Sequence, residues 1–177
     1  MVCRIAELGH IDMTRVAVSF CQARKLGRFG IYATLTPLRF AGGQTQTIRR
    51  GRPWIIQRLY DAAGREMLYI LSFYLPRYLD LPLREKLKTV VHELWHISPA
   101  FDGDLRRFGG RCHFHTSSKR EYDAHAHRLV DDYLASAPDP ALYEFLRDGY
   151  QALHARHGRI YGTKVPAPKL LPLEGPS

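Results

Sequence analysis

Apolar and polar positions follow two regimes along this chain, strand-like over the first 75 residues and helical from about residue 80 onward. The stretches RVAVSFCQ (15–22) and GIYATLTPLRF (30–40) are rich in β-branched and aromatic residues, and the short connection between them predicts an antiparallel pair of strands. The polar, glycine-bearing segment 41–53 reads as a loop and WIIQRLY (54–60) as a further strand. After the turn-like DAAGRE comes MLYILSFYL (67–75). Its near-continuous apolar character predicts a strand covered on both faces.

The period then changes. Leu83, Leu87, Val90, Val91 and Leu94 fall at i, i+4, i+7, i+8 and i+11, the apolar stripe of an amphipathic helix. Asp80 and Pro82 are start signals and Pro99 is a stop signal. A second helix is expected from Ser118, with Glu121 completing a capping box, to about residue 137. A third is expected over 139–158, with Pro140 near its start and Gly158 at its end. The segment 161–177 ends in VPAPKLLPLEGPS, four prolines in 13 residues, and is expected to be an extended or mobile tail. The pattern predicts one α+β domain over residues 1–160: a small, mainly antiparallel sheet packed against the first helix and the later ones.

Composition narrows the class. The chain has 177 residues, 45% hydrophobic and 24% charged, which suits a globular domain with a core of its own. No apolar run reaches the ~18 residues a membrane span needs, and the N-terminal residues show no apolar signal region, so no membrane partner is expected. Cys3, Cys21 and Cys112 are odd in number and form no CxxC. They predict reduced thiols in the cytoplasm rather than a disulfide framework or a cysteine-rich zinc site. The net charge is +9, with basic residues gathered at 24–28, 49–52, 106–111 and 119–120. Such a surplus can attract nucleic acid or acidic substrates, and it can equally be a solvated surface.

The chemistry concentrates in VVHELWHISPAFDGDLRRFGGRCHFHT (90–116). His92 and His96 are one helical turn apart, on the side of the helix opposite the centre of its apolar stripe, and one turn brings two imidazoles to the same Zn²⁺. Glu93 lies beside them, placed to accept a proton from zinc-activated water and pass it to a leaving amine. With nine histidines and seven glutamates in the chain, such a pattern arises by chance about 0.02 times. A catalytic zinc needs a third protein ligand. An extended RCHFHT puts His113 and His115 on one face, and His115 is the expected ligand because it sits at the start of the next helix, with His113 as the alternative. Asp102, Asp104, Glu121 and Asp123 are carboxylate alternatives. The capping box would employ Glu121, however, and the FDGD pair can simply shape a turn. His125 and His127 read as a solvated helix face, and His10, His154 and His157 as ordinary surface histidines.

The stretch from Met67 to Thr116 resembles the phage-type and prokaryotic metallopeptidases of the zincin class, with a strand, a short linker, an HExxH helix and an FDGDLRR-like loop. The likeness extends from near residue 10 to near 137 and is strongest over 67–123. More distantly the chain is similar to the SprT-like proteases, which carry a third histidine downstream of the motif. The resemblance implies a zincin-like fold, His92 and His96 as ligands, and Glu93 as base. Distant relatives carry a histidine near the position of Phe108, and here the HFH pair is the substitute.

The expectation is therefore a zinc metallopeptidase, a hydrolase that cleaves peptide or protein substrates. Arg106, Arg107 or Arg111 would steady a substrate carboxylate or the developing oxyanion, or else be clamped by Asp102 or Asp104. The alternative is a nucleic-acid-associated protein with a closed structural zinc, for which Glu93 would have no use.

Overall fold

The computed structural model describes residues 1–23, 30–107 and 119–173, leaving aside the side chains of residues 119–122. Interspersed with short 3-10 turns, the chain forms β1 (Val16–Gln22), β2 (Ala33–Pro37), β3 (Gln46–Arg49), β4 (Arg52–Ile56), β5 (Tyr69–Leu75), α1 (Leu83–Trp95), α2 (Lys119–Ala135), α3 (Tyr150–His157) and β6 (Leu170–Pro172). The fold is α+β, with two three-stranded sheets ordered β1-β5-β2 and β3-β4-β6.

The first sheet is organised by its most apolar strand. Tyr69 to Phe73 are all buried, and a strand with no face for water takes the centre, where both edges are paired. Here β5 runs parallel to β1 and antiparallel to β2. This corrects the expected pairing of 15–22 with 30–40, because β5 lies between them. Side chains alternate across β5. Tyr69, Leu71 and Phe73 join the core with Leu87, Val91 and Leu94 of α1 and Leu129, Val130 and Tyr133 of α2. Ile70 turns to the opposite face and packs with Leu38 and Met67, against which Ile56 and Val165 are partly buried. Burying each of the α1 leucines and Val91 contributes about 2 kcal/mol, which fixes the phase of the helix.

The segment 41–53, expected as a loop, contains β3 and the first residues of β4. Arg49 pairs with Arg52, leaving Arg50 and Gly51 as a two-residue connection with φ of 52° and 73°. Two successive positive φ angles match the right-handed twist of a hairpin. The tail is expected to be extended or mobile, and its described part is extended and docked. The Phe20 amide donates to the Thr163 carbonyl, the Val165 amide donates to Ser19 Oγ, both at 2.9 Å, and β6 adds antiparallel to β4. The open edge of β1 is thereby covered.

The helix expected over 139–158 is broken into two 3-10 turns, Pro140–Leu142 and Glu144–Arg147, followed by α3. The fully buried Lys86 of α1 donates its ammonium protons to the carbonyls of Leu146 and Asp148. The Tyr150 amide, which the Leu146 carbonyl would receive in a continuous helix, donates instead to the Asp80 carboxylate, and Asp148 is extended. Burial lowers the Lys86 pKa, against the opposing charges of Asp80 and Asp148. Among the described residues no helix is long and apolar enough to cross a membrane.

Candidate metal centre

α1 anchors itself through Leu87, Val91 and Leu94 and leaves His92 and His96 half-buried. The helix ends at Trp95, so His96 is its C-terminal cap residue, still in helical conformation with φ −68°. The two Nε2 atoms stand 3.2 Å apart, with the rings edge to face and centroids 4.8 Å apart. Two nitrogens on one tetrahedral zinc, each at about 2.0–2.1 Å, stand about 3.3–3.4 Å apart. The pair therefore has nearly the spacing that a shared metal requires, and it gets it from one turn of helix.

Glu93 faces β2. Its side chain is 9% exposed, and burial pushes its carboxyl up to about 7, offset in part by a hydrogen bond from the Leu35 amide. That bond reveals the orientation of β2. The Tyr74 amide donates to the Tyr32 carbonyl and the Leu38 amide to that of Leu68, so the even-numbered residues face β5. Antiparallel alternation then turns the backbone groups of Ala33 and Leu35 outward from the sheet. They face a cleft of about 340 Å³ walled by Ala33, Thr34, Leu35, Glu93, His96 and Leu105. A carboxyl, an imidazole and a strand edge thus meet in one recess.

The loop after α1 folds back and closes the helix end. The Arg106 amide donates to the His96 carbonyl at 2.7 Å and its Nε to the Trp95 carbonyl at 2.8 Å, satisfying carbonyls that the helix leaves over. The Arg106 guanidinium also lies 3.9 Å from the Trp95 ring centre. An Ile97–Leu105 bridge holds Leu105 at the cleft. Beneath it, Tyr69 donates its hydroxyl proton to the Asp104 carbonyl and accepts from the Gly103 amide; burial raises its phenol to about 12, so it stays a donor. Gly103 has φ of 87°, and a Cβ there would lie 2.5 Å from Arg39 Cγ. Only glycine fits.

These contacts settle several expected residues. Asp104 accepts two bonds from Arg107 and one from the Gly42 amide, and Asp102 accepts from the Asp104 amide in a turn. Both carboxylates shape the loop, and Arg107 is clamped by Asp104, while Arg106 serves the end of α1. Among the described residues no group of three or more His, Cys, Asp or Glu side chains is placed to hold a metal, so Asp102, Asp104 and Asp123 do not complete a set with His92 and His96. His113, His115, Arg111 and Ser118 lie outside the described residues, as does the side chain of Glu121. His125, expected on a solvated face, instead packs its ring 4.5 Å from Trp95, with Nε2 3.0 Å from the Glu7 carboxylate. His127 is more open, 3.9 Å from Glu85. His154 and His157 are exposed on α3.

The sequence reading missed the Leu35 amide and the network of Tyr69, Gly103 and Gly42. The alternation of 30–40 marks a strand but not which of its edges is open. The paired glycines at 42–43 and FDGD mark tight turns but not that they meet. In comparisons with known proteins, the chain matches no family model, no curated protein and no solved structure.

Proposed function

We propose that this chain is a zinc-dependent peptidase, with His92 and His96 as ligands and Glu93 as general base. The observation that carries the reading is the 3.2 Å separation of the two Nε2 atoms on the helix that also turns Glu93 into the adjoining cleft. The third ligand is His115, with His113 as the alternative. Zinc held there would supply Lewis acidity to the attacking water and the scissile carbonyl.

The chain's own residues do the rest. Glu93 accepts the proton of the attacking water and returns it to the leaving amine. The Leu35 amide holds the carboxylate in place from below. The outward Ala33 amide and carbonyl and the Leu35 carbonyl of β2 can pair with an extended chain, which supports a peptide or protein as substrate. Leu105 and Ile31 line the recess on its apolar side.

Metal analysis tests the reading. Purified protein should hold about one zinc per chain, and His92→Ala and His96→Ala should abolish stoichiometric binding, whereas Glu93→Gln should retain it. His115→Ala should weaken binding more than His113→Ala. Undiminished zinc in both His92→Ala and His96→Ala would sink the site. Equal dependence on His92, His96, His113 and His115 would indicate a closed structural site instead.

A further inference from the structure

We propose that the β3–β4 hairpin is a docking surface for single-stranded nucleic acid, with its arginines on phosphates and the Trp54 ring against a base. The proposal is independent of the peptidase reading.

Cross-strand register sets the surface. Arg49 is opposite Arg52 and Thr47 opposite Trp54, and alternation along β4 puts Arg52 and Trp54 on the same face. Arg50 stands at the turn between them, with φ of 52°. Arg49, Arg50, Arg52, Trp54 and Leu170 line a recess of about 510 Å³. The Trp54 indole N–H is buried without an acceptor, so the recess is offered ring surface rather than a donor.

The charge here has no carboxylate counterpart among the described residues. Elsewhere, Glu66 serves Arg15, Arg39 and Arg58, Asp61 serves Arg65, and Asp104 serves Arg107. Among the described residues Arg49, Arg50 and Arg52 have no carboxylate partner. Like charges directly opposite in a hairpin destabilise it, and a chain at +9 has charge to spare for staying dispersed. A run of anionic groups offsets that repulsion. Guanidinium forks match phosphate oxygens, and a recess walled by an indole fits a flat base. In a duplex the bases are already stacked, so the partner that uses the ring is a single strand.

The test uses the full chain with a fluorescein-labelled oligothymidylate, a duplex of equal length and phosphatidylserine vesicles. Three phosphate contacts predict that affinity for the oligothymidylate falls about 20-fold when salt is raised fourfold, against about 3-fold in the Arg49→Gln/Arg52→Gln variant. Tryptophan emission should be quenched by the oligothymidylate in the wild type, and in Trp54→Phe that quenching should disappear while binding persists. Three results would overturn the proposal: wild-type affinity and salt dependence in the double arginine variant, duplex bound as tightly as the single strand, or vesicles bound through the same arginines in place of the oligonucleotide.

Discussion

The end of α1 and the tip of the β3–β4 hairpin both concentrate polar groups, but among the described residues only the first is underpinned. At α1, the Glu93 carboxyl meets the Leu35 amide, Arg106 closes the helix carbonyls, and Asp104 and Tyr69 hold the returning loop. At the hairpin, Arg49 and Arg52 face each other across the strands with no counter-charge among the described residues. A site wired into the core couples function to stability, whereas one carried on a turn separates them. Substitutions in the two regions should therefore behave in opposite ways.

The largest effect is expected at Glu93. Glu93→Gln keeps the shape of the side chain but cannot accept the water's proton, so hydrolysis of a peptide substrate should fall by about 10³-fold. The Arg49→Gln/Arg52→Gln variant should cleave a short uncharged peptide at the wild-type rate. A Glu93→Gln protein with wild-type turnover would remove the base from the mechanism. A hairpin variant crippled on the same peptide would erase the contrast between the regions.

Next in size is the support under the site. Asp104→Asn replaces a buried carboxylate that accepts from Arg107 and from the Gly42 amide, and should cost about 2 kcal/mol. Burial pulls the Asp104 carboxyl up, but the bonds from Arg107 and the amides of Gly42 and Leu105 pull harder, and the net shift is downward. A carboxyl with a lowered folded pKa stabilises fully above its unfolded pKa, about 3.9, and loses that contribution as pH falls through the lower folded value. Urea melts should therefore show wild type and Asp104→Asn well separated at neutral pH and converging in acid. A separation that persists unchanged in acid would mean that the carboxylate is not what stabilises the loop.

How far the sequence reached follows from which forces are local. α1 was legible because Leu87, Val91 and Leu94 repeat with the helix and leave His92 and His96 on the other side. β5 was legible because its apolar run has only one comfortable place in a sheet. Pairing was not, since nothing within 15–22 or 30–40 states that a strand some 30 residues later will insert between them. The hairpin at 46–56 was hidden in a polar stretch, with Arg50-Gly51 a weaker turn signal than Asn-Gly. The third helix failed for a distant reason: Asp80, 70 residues away, takes the Tyr150 amide, and Lys86 tethers the Leu146 carbonyl from 60 residues away. At the site, the motif named two candidate ligands and a candidate base, and the structure sets the His92 and His96 Nε2 atoms 3.2 Å apart. The clamp on Asp104 by Gly42, 62 residues away, belongs to the fold and not to the motif.

The smallest effect is the most direct test of the comparison, because its sign is the unusual one. Arg52→Thr removes one member of a like-charged pair directly opposite in the hairpin and substitutes a residue that suits a strand. Relief of such repulsion amounts to about 0.5 kcal/mol, or about 1–2 °C in the melting midpoint of a chain this size. The gain should be largest at low ionic strength and fade as salt screens the pair. Thermal melts of wild type and variant at two salt concentrations would measure it. A stabilised variant that has also lost affinity for the oligothymidylate would show a hairpin kept for binding at the expense of stability. A variant destabilised by a similar amount would show that Arg52 has a structural contact of its own, and the hairpin would then belong with α1 rather than against it.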